Sequence, residues 1–423
     1  MTTRAGQTGR GWRVAVSGLG LVTIAAYGVA YYSYGVLIDP IRTHTGWSSP
    51  ALGAIFSGVL VIGGAGGLAG GRLVDRVGTR PAFLLAGTVG AGAVAASSYQ
   101  HGLLGFGVLY AVGCGVIAAL GFYHVTQPAA IRASGGAPDR AVVWLTILGA
   151  FASPIFLPLT AALVSTIGWR DTIRVLAAIA AAVFLPMAVA ERTGARPAHA
   201  SQHADGAAGA LRGAWRVPGF RRWVLASLIS GAAVDVILVY QVPVMIAAGL
   251  PIGAAASIGG LRGFAQLGGR VPLSPVLRRL GARQTIVVSL AVGAVGVLLL
   301  LASGHVVPAI VYSILAGASI GAMYTLQGIY TNDLVGDANL SLLMGAQAAV
   351  FAVGGAAGPV VAGVLFAATN SYVPVVLLTA AGLLVAAAIM STSTLRPRRS
   401  SGSLVSSAEP AAEPARAVGE PLG

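Results

Sequence analysis

Apolar stretches of about 20 residues, the length an α-helix needs to cross some 30 Å of hydrocarbon, recur along this chain. Short breaks rich in Gly, Pro, Ser and Arg separate them. They fall near 13–38, 49–71, 81–99, 103–127, 141–166 and 172–190, and again near 223–248, 253–276, 284–303, 306–330, 340–367 and 372–391. The pattern predicts twelve transmembrane helices in two sets of six. Between the sets, 191–222 is polar, rich in Ala, Gly, Arg and His, and without apolar periodicity, so it reads as a flexible cytoplasmic linker. The tail at 392–423, with its Ser, Ala, Glu and Pro content, is expected to be disordered. The predicted organisation is a six-helix bundle over 1–190, the linker over 191–222, a second six-helix bundle over 223–391, and the tail.

Composition sharpens this to an all-α integral membrane protein. Apolar residues fill 56% of 423 positions and charged residues 9%, against roughly one quarter charged in a soluble domain. A formal charge of +14, from 26 basic and 12 acidic residues, would otherwise suggest a nucleic-acid partner. Every basic residue is an arginine, however, and 21 of the 26 fall in the N-terminal arm, alternate loops, linker and tail. Only Arg42, Arg170 and Arg174 fall at the other ends of the helices. Short basic loops stay in the cytoplasm, so both termini are expected inside, in a multi-pass protein of the plasma (inner) membrane surrounded by lipid. The N-terminal arm, with Arg4, Arg10 and Arg13, mimics a signal peptide, but its apolar run of about 25 residues lacks a clear cleavage site and is expected to stay as helix 1. Cys114, the single cysteine, lies in an apolar run and is expected to be a free, inert thiol.

The two sets look like copies. Gly70-Gly71-Arg72 returns as Gly268-Gly269-Arg270, and the Arg76, Gly78 and Arg80 pattern returns as Arg279, Gly281 and Arg283, in a loop that lacks the aspartate and is five residues longer. Gly149 to Pro154 in helix 5 returns as Gly354 to Pro359 in helix 11. Most of the 60 glycines are read as packing positions, where small residues let helices approach to backbone contact in lipid.

The segment Gly71-Arg72-Leu73-Val74-Asp75-Arg76-Val77-Gly78-Thr79-Arg80 resembles the signature loop between helices 2 and 3 of the major facilitator superfamily of transporters. That resemblance implies the major facilitator fold: two pseudo-symmetric six-helix bundles, with a substrate site near mid-membrane between them. It also makes Gly71, Asp75, Arg76, Gly78 and Arg80 a cytoplasmic gate motif, an ion-paired latch set against helix ends. In helix 5, Ser153 stands where the superfamily's antiporter motif has glycine, so antiport is not implied.

Three ionisable residues sit deep in predicted helices: Asp235 in helix 7, and Arg262 and Arg270 in helix 8. Each costs at least about 2.5 kcal/mol at the bilayer centre, so a functional role is the default reading. At about 1.5 Å per residue from the cytoplasmic ends, they lie roughly 18, 24 and 12 Å deep. A packing-only Asp235–Arg262 pair is the alternative reading, but one aspartate cannot neutralise both arginines. The remaining cation suits a substrate carboxylate gripped by a guanidinium fork.

Polar stripes complete the candidate site. Helix 1 places Gly20, Thr23, Tyr27, Tyr31 and Tyr34 on one face, helix 10 does the same with Tyr324, Gln327 and Thr331, and helix 4 offers Tyr123, His124 and Gln127. Tyr27, Tyr31, Tyr324 and Gln327 either line the cavity or bond helices to one another, while Tyr32 and Tyr330 are expected to face elsewhere. His124 is a second proton-carrier candidate, with a satisfied buried imidazole as its alternative.

Within the superfamily, Tyr34-Gly35-Val36, Asp39-Pro40 and Thr45-Gly46-Trp47-Ser48, with Gly168-Trp169-Arg170, resemble the monocarboxylate transporter family and its bacterial relatives, including oxalate and formate exchangers. The resemblance brings Arg270 onto the family's substrate-binding arginine. It departs at Gln266, where many members carry a proton-coupling aspartate, and in the absence of lysine from helix 1 and of a cation from helix 11. The expectation is a monomeric secondary transporter moving a small organic anion, a monocarboxylate, by alternating access with proton symport. Substrate contacts are assigned to Arg270, Arg262, Tyr27, Tyr31, Tyr324 and Gln327, and proton coupling to Asp235 or His124. The alternative is a proton-coupled exporter of a hydrophobic metabolite or drug. No His-Glu-x-x-His motif is present, the Gly-x-Ser-x-Gly string at Gly317 to Gly321 falls inside predicted helix 10 rather than at a strand-to-helix turn, and no cofactor or metal is expected.

Overall fold

The computed structural model describes residues 11–134, 138–190, 204–270, 272–335 and 340–392. The tail from 393 onward and the first part of the linker lie outside the described residues, as do the surroundings of Gly71 and the side chains of Asp75 and Arg76 in the gate motif. All regular structure among the described residues is helical. The rods are α1 (11–45), α2 (Ser49–Val77), α3 (79–97), α4 (Leu103–Ala133), α5 (138–167), α6 (169–190), α7 (Pro218–Ala247), α8 (Ile252–Arg270), α9 (282–302), α10 (Val306–Val335), α11 (Leu340–Thr369) and α12 (Val373–Ser391). Nine helical stretches among the described residues are long and apolar enough to cross a membrane. One of them holds both α5 and α6, which meet at Gly168.

Several boundaries differ from the sequence expectation. Helix α1 runs through Pro40 to Thr45, seven residues beyond the expected end, and stops where Gly46 turns left-handed and its N–H returns to the Arg42 carbonyl. Helix α4 is broken at Phe122, whose backbone is extended. The linker is not irregular throughout: Ala204–Trp215 is helical, and Ala214 packs with Phe220, Val224 and Leu343. Its alanines supply helix propensity, and Ala214 and Trp215 an apolar contact with Phe220, that composition alone does not reveal.

The repeat noticed in the sequence has a backbone counterpart. Gly78 (φ 86°, ψ 179°) and Gly281 (φ 74°, ψ 165°) occupy equivalent loops in nearly the same conformation. At positive φ a side chain is strained, so glycine is the residue that allows both turns.

From mid-bundle towards the face opposite the arginine-rich loops, the two six-helix halves meet along glycines. A Cβ on Gly35 of α1 would stand 2.6 Å from the Val239 carbonyl of α7, and one on Gly363 of α11 would stand 2.7 Å from the Ser49 carbonyl. Tyr240 donates a hydrogen bond to the Pro359 carbonyl at 3.1 Å, beside Gly53 of α2. Between α5 and α8, Gly260 and Gly263 rest on Ser153 and Pro154. Ser153, the residue standing in place of the antiporter glycine, therefore belongs to this seam.

Within the second half, α7 and α11 touch backbone to backbone: a Cβ at Gly354 would overlap the Leu228 carbonyl oxygen, and one at Gly231 that of Phe351. Gly354→Val should therefore force these helices apart and cost about 1–3 kcal/mol, as overpacking of a tight interior does. Gly92→Ala, with nothing within 4 Å of an added Cβ, is the control. Thermal unfolding of the purified protein should show a lowered midpoint for the first and none for the second; equal midpoints would contradict the packing.

Candidate functional site

One extra residue in a turn of α1 decides what this helix presents to the bundle centre. Residues Gly28–Tyr32 form a π-turn, closed by the Ser33 N–H returning to the Gly28 carbonyl, and Ser33 Oγ donates to the same oxygen at 2.8 Å. A regular helix would put Tyr27, Tyr31 and Tyr34 on one face. The wider turn shifts the register, so Tyr27, Tyr31 and Tyr32 line one cavity. Tyr34 instead turns into the core and donates to the Leu52 carbonyl at 2.6 Å. The expectation that Tyr32 faces elsewhere and Tyr34 the pathway is thus corrected.

That cavity, of about 270 Å³, collects residues from both halves: Tyr27, Tyr31 and Tyr32 of α1, Phe122 and His124 of α4, Asp235 of α7, Gln266 of α8 and Tyr324 of α10. The break in α4 places the Phe122 ring flat on Tyr27, 3.8 Å between centroids and 4° between planes. Tyr31 stands edge-on to Tyr32 at 5.5 Å. Gly64, His124 and Tyr324, which lie on the arginine-rich side of this cluster, are exposed, whereas the seam towards the opposite face is buried. The cavity therefore opens towards the arginine-rich face.

Asp235 is 4% exposed. Its partner is not an arginine: Tyr31 Oη donates to Asp235 Oδ1, across the boundary between the halves. Room for the carboxylate comes from α11, where a Cβ on Gly355 would overlap Asp235 Oδ2. The sequence suggests an Asp235–Arg262 pair because Asp235 lies at a depth between the two arginines, one helix away. Depth alone misleads, since the side chain that meets Arg262 is Gln241, six positions further along α7 and roughly 240° round it. Arg262 Nε donates to Gln241 Oε1 at 3.1 Å, and the guanidinium lies behind the Tyr32 ring, 5.8 Å from its centroid.

Arg270 is half-buried two turns further along α8, with its Nε 3.5 Å from the Gly321 carbonyl. The glycine-lined contact of α8 with α10, at Gly269, Gly317 and Gly321, holds it there. Asp235, Arg262, Arg270 and Tyr32 all lie within electrostatic reach of Tyr324. Among the described residues, neither arginine forms an ion pair. Gln327 lies apart, lining a small pocket of about 20 Å³ with Tyr324, Ser230 and Ser319. His124 faces the main cavity, but its Nε2 is held by the Ala119 carbonyl at 2.8 Å. Thr23 bonds Thr126 at 2.9 Å and Thr331 accepts from Trp223 at 3.1 Å, so both serve helix packing. In the gate motif, Gly78 makes the left-handed turn and Arg80 is exposed. Phe122 and Gln241 were missed, since neither an aromatic nor a glutamine in an apolar helix signals its facing without the helix break and the α7–α8 pairing.

A sequence profile described as Major Facilitator Superfamily matches residues 19–263 and 247–420. Comparison with curated proteins gives no significant match in sequence. Among solved structures, the fold is shared with the nucleoside transporter NupG (TM-score 0.74, 13% identity, 90% of this chain and 98% of that one). It is also shared with a bacterial homologue of the human lysosomal transporter Spinster, inward-facing and unoccupied (0.71, 14%, 92% and 97%), and with a D-xylose-proton symporter (0.67, 14%, 90% and 98%). The chain belongs to the Major Facilitator Superfamily, and is a multi-pass membrane protein with that superfamily's transporter fold.

The Tyr31–Asp235 bond generates a prediction. Tyr31→Phe keeps the ring and removes the donor, leaving a buried acceptor unsatisfied at a cost of about 1–3 kcal/mol. The unfolding midpoint should drop, and by less in an Asp235→Asn background. An unchanged midpoint in Tyr31→Phe would show that the tyrosine is only an aromatic wall.

Proposed function

We propose that this superfamily member is a secondary transporter that moves a small organic anion, a monocarboxylate, by alternating access with proton symport. The supporting observation is a charge imbalance: the described lining of the central cavity holds one carboxylate, engaged by a phenol, while two guanidinium groups nearby have no acidic partner. In a low-dielectric interior, the ligand best suited to such a site is an anion. Arg270, half-buried and offering Nη donors, takes the carboxylate, while the rings of Tyr27, Tyr31, Tyr32, Phe122 and Tyr324 cover its apolar body. A volume of about 270 Å³ lies near the lower end of ligand sites, so the body is small. Those five rings also favour a second reading, a proton-coupled exporter of a hydrophobic metabolite or drug; transport of neutral compounds alone would support it.

Coupling follows from the same charges. An anion at the arginines and a proton at Asp235 each offset charge that the other leaves behind, so they bind cooperatively and each raises the other's affinity equally. One solved structure sharing the fold is a proton symporter, which supports this mode. In proteoliposomes, uptake of labelled monocarboxylates should rise with an inward proton gradient. Arg270→Lys should lower uptake by roughly tenfold or more, because an ammonium cannot reproduce the planar fork. Asp235→Asn should exchange substrate without concentrating it. Undiminished uptake by Arg270→Ala, or gradient-driven accumulation by Asp235→Asn, would overturn the respective assignment.

The arginine-rich face is assigned to the cytoplasm, which makes the observed state inward-open. Cys114 is fully buried, so His101→Cys, in an exposed turn, introduces an accessible thiol on the opposite face. An impermeant maleimide added to whole cells should label it and should not label Leu211→Cys. The reverse pattern would invert the topology.

A further inference from the structure

Arg262 is the most completely enclosed charge among the described residues, with no exposed surface. Its Nε donates to Gln241 Oε1 at 3.1 Å, and Tyr312 Oη donates to the same oxygen at 2.9 Å. Two bonds to one oxygen fix the amide and leave its Nε2 for another partner. Gln241 Nε2, Arg262 Nη1 and Arg262 Nη2 are all buried without a hydrogen-bond partner in the protein. These three nitrogens are donors only, on two side chains that touch each other. Buried donors of this kind are ordinarily satisfied, and a set that offers no acceptor matches a ligand that is all acceptor.

Two further observations define the place. Arg270 lies eight residues along α8, about 12 Å of helix away, and its guanidinium rests on the Gly321 carbonyl rather than on Gln241. Tyr32 is the only described lining residue with its ring over the Arg262 guanidinium. It is also the last residue of the π-turn, and its open side is the cavity itself. The cavity thus leaves space beside the ring on the side away from Arg262.

We propose that Arg262 and Gln241 form a second anion subsite, shuttered by Tyr32, for a small monovalent anion, either a carboxylate or a halide. The subsite stands on its own donors; only the carboxylate source rests on the transport reading above. As a carboxylate site, it receives the substrate after its first contact at Arg270, deeper towards the closed seam. As a halide site, it holds a counter-ion that neutralises Arg262.

The test uses the full-length protein in detergent, with thermal unfolding followed in sodium chloride, sodium benzoate and sodium gluconate at equal ionic strength. Chloride, benzoate or both should raise the midpoint above gluconate, since a ligand that binds only the folded state stabilises it. Arg262→Gln should abolish that difference, and Tyr32→Ala should reach it at a severalfold lower anion concentration. A benzoate-specific effect identifies the substrate's carboxylate; a chloride-specific effect identifies a resident halide. If Arg262→Gln does not fold, bromide soaked into crystals of the wild type should give an anomalous peak beside Arg262. No anion-specific stabilisation in the wild type, or one that survives Arg262→Gln, overturns the proposal. An Arg262-dependent chloride effect without uptake of any organic acid would sink the transport reading alone, whereas Arg270-dependent uptake without any Arg262-dependent effect would sink the subsite alone.

Discussion

A carboxylate placed deep in a bundle surrounded by lipid has to find its donor within the protein, and Asp235 finds it on Tyr31, across the boundary between the two halves. Much of the central architecture serves that bond. The π-turn in α1 swings Tyr31 and Tyr32 together into the cavity. The absent side chain of Gly355 leaves the carboxylate its place, while the neighbouring glycines at 354 and 358 draw α11 onto the backbone of α7. A bond between the halves also bears on the proposed alternating access, because any rocking of one half against the other would strain or break it.

Because a phenol and not a guanidinium satisfies Asp235, the two arginines of α8 keep their charge for other partners. They are held differently. Arg262 is sealed behind Tyr32 and anchored on Gln241, whereas Arg270 is half-buried against α10. Both are directed by the close glycine contacts of α8 with α10 and α5 rather than by acidic neighbours. The consequence is a cavity whose walls are aromatic and whose nearby fixed charge is net positive.

The architecture was legible in the sequence because its cause is local: runs of apolar residues of bilayer length, cut by arginine-bearing loops. The loop glycines at 78 and 281 were readable as equivalent for the same reason, since a positive φ demands the same residue in each half. Five site candidates, Tyr27, Tyr31, His124, Asp235 and Tyr324, do share one cavity, because polar residues in apolar helices are kept from lipid and have few places to go. Facing was not legible. A single π-turn exchanged the roles of Tyr32 and Tyr34, a break at Phe122 brought an unremarked ring against Tyr27, and an intermediate depth suggested an Asp235–Arg262 pair that rotation about α7 forbids. Each miss is a matter of helix azimuth, which responds to irregular turns and to tertiary contact rather than to composition.

The central claim is that the mid-membrane cavity selects a negative charge, and the most direct measurement compares two probes that differ in little else. Equilibrium binding of labelled benzoate and of its neutral isostere benzamide to the purified protein isolates that charge. A cavity governed by unpaired guanidinium groups predicts at least about tenfold tighter binding of benzoate, about 1.4 kcal/mol, and loss of that preference in Arg270→Gln. Equal affinity for the two, or a preference for benzamide, would contradict the account.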